Sequence, residues 1–255
     1  MDDLALLDLA VRLVADAAAK ILVVREAGFT VAAKSDASPV TVADMEAEAI
    51  ITAGLRAAAP AIPVIAEEEV AAGRVTALAP EYWLVDPLDG TREFAAGRAE
   101  FAVNIGLIRN GVAILGAVAS PALHEIHYGL LGHGAFKRTR GKTIKIAARH
   151  APQEGLTVMA SRHYAADPAL SALLAGHCIA SLTNIGSALK FLRLAEGAAD
   201  FYPRLGRTME WDTAAPQGVL EAAGGSVLTA DGKQLRYGKP GFENPDFNAW
   251  GLREV

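Results

Sequence analysis

Trp83-Leu84-Val85-Asp86-Pro87-Leu88-Asp89-Gly90-Thr91-Arg92-Glu93-Phe94 sets two acids, a proline and a Gly-Thr step directly behind a hydrophobic run. Leu84 and Val85 read as the end of a buried strand, and Pro87, which has no N–H to donate, is expected to end regular pairing there. Asp86 and Asp89 then stand at the strand's C-terminal edge. Two carboxylates on one tight loop repel each other unless a cation lies between them, and hard oxygen ligands of this kind suit Mg²⁺ or Mn²⁺. Gly90 and Thr91 offer backbone N–H groups at a candidate helix start, a seat for a phosphate.

With 255 residues, 52% of them hydrophobic, the chain can bury one large core or two modest ones. A formal charge of −5 argues against nucleic acid as a partner, so a phosphorylated ligand has to be neutralised locally by cations and a few placed Lys or Arg residues. The single cysteine, Cys178, excludes an internal disulfide and a Cys-based zinc site. It fits a reducing, cytoplasmic setting and reads as a small buried hydrophobe. Near the N-terminus, Asp8, Arg12, Asp16 and Lys20 interrupt the apolar run. Leu4, Leu7, Val11, Val14, Ala18 and Ile21 fall on one helical stripe, the core face of a globular protein and not a membrane span.

A polar segment, Lys34 to Pro39, leads into a second helix over residues 42–59 and could close over a site. Strands are expected at 62–65, 83–85, 101–108, 113–119, 125–130 and 135–138. From about residue 152 the pattern alternates, with a strand at 157–160 and helices at 168–175, 187–196 and 213–223. This gives an α/β (α+β) chain with a soft boundary near residue 150, into parts 1–150 and 151–255, and an irregular tail.

Glu67 follows an apolar strand, as Asp86 does, and the two could converge at one sheet end, where open α/β folds keep their sites. Taken alone, Glu67-Glu68-Glu69 reads first as a solvated acidic turn. Thr41 and Asp44 form a capping-box variant, although Asp44 could instead orient a hydroxyl or water. Asp212, in Glu210-Trp211-Asp212-Thr213, is either a helix cap or a further cation ligand, with Pro216 expected in the first turn. Ser187 and Lys190 share a helix face, and Arg204 ends a strand in Tyr202-Pro203-Arg204; each could bind a second phosphate, although an exposed helical Lys is usually only solvated. His124 and His127 would point to opposite faces of a strand and do not make a metal pair.

Taken in order, Ser38 to Asp44, Glu67-Glu68, Asp86-Pro87-Leu88-Asp89-Gly90-Thr91 and Trp211-Asp212-Thr213-Ala214-Ala215 resemble the inositol monophosphatase-like superfamily of metal-dependent phosphatases over nearly the whole chain. Lys34, Asn184 to Phe191, Ala195-Glu196-Gly197 and Tyr202-Pro203-Arg204 are most similar to its 3'(2'),5'-bisphosphate nucleotidase branch of CysQ type. Ala66-Glu67-Glu68-Glu69 departs from the usual Ser or Gly before the acids, which leaves a shift of the ligand to Glu68 open.

That resemblance implies a layered αβαβα sandwich, two or three Mg²⁺ per site, Li⁺ sensitivity and release of the 3'-phosphate of 3'-phosphoadenosine 5'-phosphate in support of sulfur assimilation. It implies Glu67, Asp86 and the Leu88 carbonyl around one Mg²⁺, and Asp86, Asp89 and Asp212 around a second. Thr91, oriented by Asp44, would take the water's proton, and the N–H groups of Gly90 and Thr91 would cradle the phosphoryl oxygens. Ser187, Lys190 and Arg204 would read the 5'-phosphate and nucleoside. The rivals are an inositol or fructose-1,6-bisphosphate phosphatase and a non-catalytic nucleotide- or metal-binding regulator. A homodimer and a loose association with the inner face of the cell membrane are left open.

Overall fold

The structure, a computed structural model, describes residues 1–33, 39–162 and 167–253. Lys34 and Ser38, and with them most of the polar segment expected to border the site, lie outside the described residues. Two long helices form the first layer. Helix α1 (Asp3–Ala27) is capped by Asp2, whose carboxylate accepts the Ala5 N–H at 2.8 Å. Helix α2 (Val42–Ala58) is opened by Thr41. Of the expected α1 stripe, Leu4 is half exposed, because packing against the sheet begins one turn later at Leu6 and Leu7.

A short hairpin of β1 (Val31–Ala33) and β2 (Pro39–Thr41) precedes α2. The second layer is a sheet of seven strands in sequence order: β3 (Val64–Ala66), β4 (Glu81–Asp89), β5 (Ala102–Arg109), β6 (Val112–Ser120), β7 (Glu125–Leu130), β8 (Gly134–Thr139) and β9 (Lys142–Ile146). Only the β3 and β4 pair is parallel. Helices α3 (Glu67–Ala71) and α4 (Thr91–Ala95) are single turns that follow β3 and β4 directly. Pro87 does not end β4 as expected. Pairing with β5 skips from Asp86↔Asn104 to Asp89↔Ala102, so a bulge absorbs the missing donor and the strand runs on.

The remaining strands are β10 (Leu156–Ser161), β11 (Ile179–Ile185), β12 (Phe201–Arg204), β13 (Thr208–Met209), β14 (Ser226–Thr229), β15 (Glu243–Asn244) and β16 (Phe247–Trp250). Five of them form a second sheet in the order β11-β10-β12-β16-β14, while β13 pairs with β15. The tail, expected to be irregular, therefore supplies β16 to this sheet, between β12 and β14. Helix α5 (Pro168–Leu174) packs Leu173 and Leu174 on one face of the second sheet, against Val158 and Phe201. Helices α6 (Leu189–Ala195) and α7 (Glu210–Ala222) fill the space between the sheets, where Leu192, Ala215 and Val219 meet Val118 and Ala249. The layers thus run α, β, α, β, α, as the resemblance implied.

Close approach of α7 to the first sheet depends on two paired glycines, Gly106 and Gly116. A Cβ on Gly116 would lie 1.9 Å from the Ala215 carbonyl oxygen, and one on Gly106 would lie 2.8 Å from the Ala215 nitrogen. Their bare backbone lets α7, with Asp212 in its first turn, lie directly on β5, the neighbour of β4, and on β6 beside it.

Candidate active site

Asp44 uses its two carboxylate oxygens on two different partners. Its Oδ2 accepts the Thr41 N–H and hydroxyl, each at 2.7 Å, completing the capping box of α2. Its Oδ1 faces the other way and lies 3.1 Å from the Thr91 hydroxyl, which is also 3.0 Å from the Leu88 carbonyl. The carboxylate is 1% exposed, while Thr91 is half-buried and faces the more open side of the pair. Gly90 supplies the turn in between: its φ of 88° is left-handed, and a Cβ there would lie 2.9 Å from the Glu100 carbonyl oxygen. The expected helix start behind the acids is present as α4, with Gly90 as its cap.

Each aspartate has one oxygen anchored by a backbone N–H. Asp86 Oδ1 accepts from Leu88 at 3.0 Å, Asp89 Oδ2 from Ala188 at 2.5 Å and Asp212 Oδ2 from Met209 at 2.9 Å. Asp89, Asp212, Gly90, Ser187, Lys190 and Arg204 line one cavity of about 140 Å³, with Tyr202 and Phe247 on its apolar side. A larger cavity of about 690 Å³ lies away from this chemistry, between α1 and the turn before β7. Burial raises the Asp212 carboxyl first, and the facing charges of Asp89 and Glu67 raise it further, up to about 8. Asp89 is also raised by burial, opposed by the Lys190 ammonium and the Ala188 N–H, with Glu67 adding repulsion. Glu67, Asp89 and Asp212 therefore share one electrostatic site contributed by three separate segments.

An all-oxygen donor set of repelling carboxylates fits a hard divalent cation. Both aspartates have folded values above the ordinary 3.8. Their protons stabilise the metal-free fold at low pH, and that contribution is lost as pH rises through the folded values, about 8 for Asp212. The Tm of EDTA-treated protein is therefore expected to fall between pH 5 and pH 8, and millimolar Mg²⁺ is expected to restore it at pH 8. Calorimetric scans showing a flat Tm, or no response to the cation, would contradict the assignment.

Several expectations change. Ser187 is not on a helix: α6 begins at Leu189, and Ser187 adopts a left-handed φ of 57°. Lys190 is not exposed but 3% accessible, because its Nζ donates to the Ser187 carbonyl at 2.6 Å and lies 5.0 Å from the Tyr202 ring centroid. That bond holds the turn which presents the Ala188 N–H to Asp89. Asp212 is the third residue of α7, not its N-cap residue, and closes a capping box through the Met209 N–H; Pro216 lies inside the helix, where it withholds an N–H from the Asp212 carbonyl. Cys178 is exposed, in the turn before the edge strand β11.

Glu125, His127 and Glu196 are the one trio among the described residues that brings ligand atoms within 4.8 Å of one another. Lys137 and Arg193 already pair with both of its carboxylates, at 2.6 to 3.1 Å, so it is an ion-pair cluster and not a vacant cation site. No trio of the aspartates and Glu67 brings its carboxylate oxygens that close together. Among cavity residues, Glu93, Ser161 and Thr208 carry no local sequence signal and were not anticipated.

A model of the inositol monophosphatase family matches residues 2–252. The chain belongs to this family. Within it, the 3'(2'),5'-bisphosphate nucleotidase CysQ of Salmonella typhimurium is 43% identical over 85% of this chain and 87% of the relative. The protein of the same name from Buchnera aphidicola is 39% identical over 88% of this chain and 84% of its own. The crystal structure of CysQ from Bacteroides thetaiotaomicron, at 31% identity, superposes with a TM-score of 0.82 over 98% of both chains. An inositol monophosphatase from Anabaena gives 0.77 at 26% identity, over 97% of this chain and 91% of its own. No described helix is long and apolar enough to cross a membrane.

Proposed function

We propose that this phosphatase removes the 3'-phosphate of 3'-phosphoadenosine 5'-phosphate, giving AMP and inorganic phosphate in support of sulfur assimilation. The observation that carries the reading is the single cavity in which Asp89 and Asp212 stand beside Lys190 and Arg204, with Tyr202 and Phe247 as apolar surface. Carboxylates, cations and aromatic rings around one cavity suit a nucleotide bearing two phosphates better than a small polyol ester. The identity to relatives named 3'(2'),5'-bisphosphate nucleotidase agrees.

Glu67, Asp86 and the Leu88 carbonyl would hold one Mg²⁺, and Asp86, Asp89 and Asp212 a second. When bound, the cations supply charge for the phosphoryl oxygens and a more acidic water. Thr91 holds the attacking water and passes its proton toward Asp44 Oδ1. Gly90 and Thr91 orient phosphoryl oxygens with their N–H groups, and water adds to phosphorus as the bond to the ribose 3'-oxygen breaks. The ribose oxygen then takes a proton from solvent. Ser187, Lys190 and Arg204 bind the 5'-phosphate and the nucleoside. We assign the reaction to the cytoplasm, in keeping with one unpaired thiol.

The test is phosphate release with Mg²⁺ from 3'-phosphoadenosine 5'-phosphate and from inositol 1-phosphate, side by side, with and without millimolar Li⁺. A Li⁺-sensitive preference for the nucleotide is expected; preference for the inositol ester would discard the pocket assignment. Burial lowers the Lys190 ammonium to about 8, with Asp89 opposing, so it is still largely charged at neutral pH. Lys190→Ala is expected to raise KM for the bisphosphate nucleotide about tenfold, the loss of one charge-assisted bond. KM for inositol 1-phosphate should move less. Equal rises for both esters would show that Lys190 acts only through the Ser187 turn.

A further inference from the structure

Helix α3 begins at Glu67 without a cap of its own, since Ala66 precedes it and offers no side-chain acceptor. The acceptor comes from twenty residues earlier. Glu48, 5% exposed on α2, places Oε2 2.7 Å from the Glu68 N–H. One helical turn before it on the same face is Asp44, whose Oδ1 meets Thr91. Two turns after Glu48, Arg56 grips Glu69 with two bonds, at 2.9 and 2.6 Å. Residues 44, 48 and 56 thus form one stripe along α2 that touches the Thr91 turn at one end and the start of α3 at the other. A buried carboxylate is costly to keep, and burial pushes Glu48 up to about 7. Its retention as an acceptor therefore asks for a purpose.

We propose that Glu48 is a positioning residue that sets the Glu67 carboxylate in register with the Asp44 and Thr91 pair, so that one rigid helix spaces the cation-holding and proton-handling sides of the site. The inference rests on the reading of Glu67 as a cation ligand. What matters in this account is the reach of the acceptor oxygen and not its charge. Gln at position 48 keeps both the reach and an oxygen acceptor; Asp keeps the charge and loses one methylene.

The experiment measures Mn²⁺ affinity directly by titration calorimetry on wild type, Glu48→Gln, Glu48→Asp and Glu67→Gln, with circular dichroism to confirm the folded state. Glu48→Gln is expected to bind within about threefold of wild type and Glu48→Asp about tenfold more weakly, the scale at which groups supporting a ligand act. Glu67→Gln should lose more than either. Tight binding by Asp with loss by Gln would overturn the proposal in favour of a charge effect, and unchanged affinity in both would overturn it by leaving position 48 with no part in the site. Unchanged affinity in Glu67→Gln would overturn the ligand reading itself and the proposal with it. Nearly isosteric Gln keeps the core filled, so the comparison survives even if Glu48→Asp is destabilised.

Discussion

Asp89→Asn is expected to lower kcat by at least about 10³-fold while leaving the protein folded, a loss on the scale of removing preorganised charge stabilisation from a transition state. Two features of the carboxylate separate here. Its Oδ2 accepts the Ala188 N–H at 2.5 Å, which docks the turn before α6 against the end of β4. An asparagine carbonyl can keep that bond, so the turn stays in place. The other atom becomes an NH₂ group, a donor with no cation affinity, facing the shared site with Asp212 and Glu67. Steady-state turnover with saturating Mg²⁺ reads the outcome. Retention of more than a tenth of wild-type kcat would remove Asp89 from the proposed ligand set.

The strand-end placement of Glu67 and of the Asp86 to Asp89 loop was legible in the sequence because each follows a short apolar run, whereas only the family resemblance made ligands of them. A strand ending in polar residues announces a sheet edge, and Glu67 and Asp89 do stand at the ends of neighbouring strands, β3 and β4. What joins them to Asp212 was not legible. The approach of α7 depends on Gly106 and Gly116 being paired across two strands, a fact of register that no local window carries. The Ala188 N–H that anchors Asp89 is backbone and has no residue-type signature. Ser187 misled for the opposite reason: the helical spacing from Ser187 to Lys190 is real, yet the chain enters α6 only after a left-handed turn, which Lys190 itself ties down. Glu48 looked like any polar residue on a helix. Only the position of α3, which follows β3 without a linker, gives it a partner.

Asp44→Asn separates the two uses of that side chain and is expected to lower kcat about 10²- to 10⁴-fold, the range for loss of a positioned proton acceptor. Oδ2 of Asp44 accepts two bonds from Thr41, one from N–H and one from the hydroxyl. An amide nitrogen placed there would set donor against donor, so the asparagine must point its oxygen at Thr41 to preserve the cap of α2. Its NH₂ group then faces Thr91, 3.1 Å from the hydroxyl where Oδ1 had been. Thr91 can accept from that group but can no longer pass a proton to it, and its own proton is left to the Leu88 carbonyl at 3.0 Å. Proton transfer is blocked, whereas the helix start and the groups proposed to bind the nucleotide are unchanged. KM should therefore stay within about threefold of wild type, the pattern of an interaction made only in the transition state. Loss of the fold, seen as a fall in Tm with kcat per folded molecule unchanged, would return Asp44 to a purely structural role as the cap of α2.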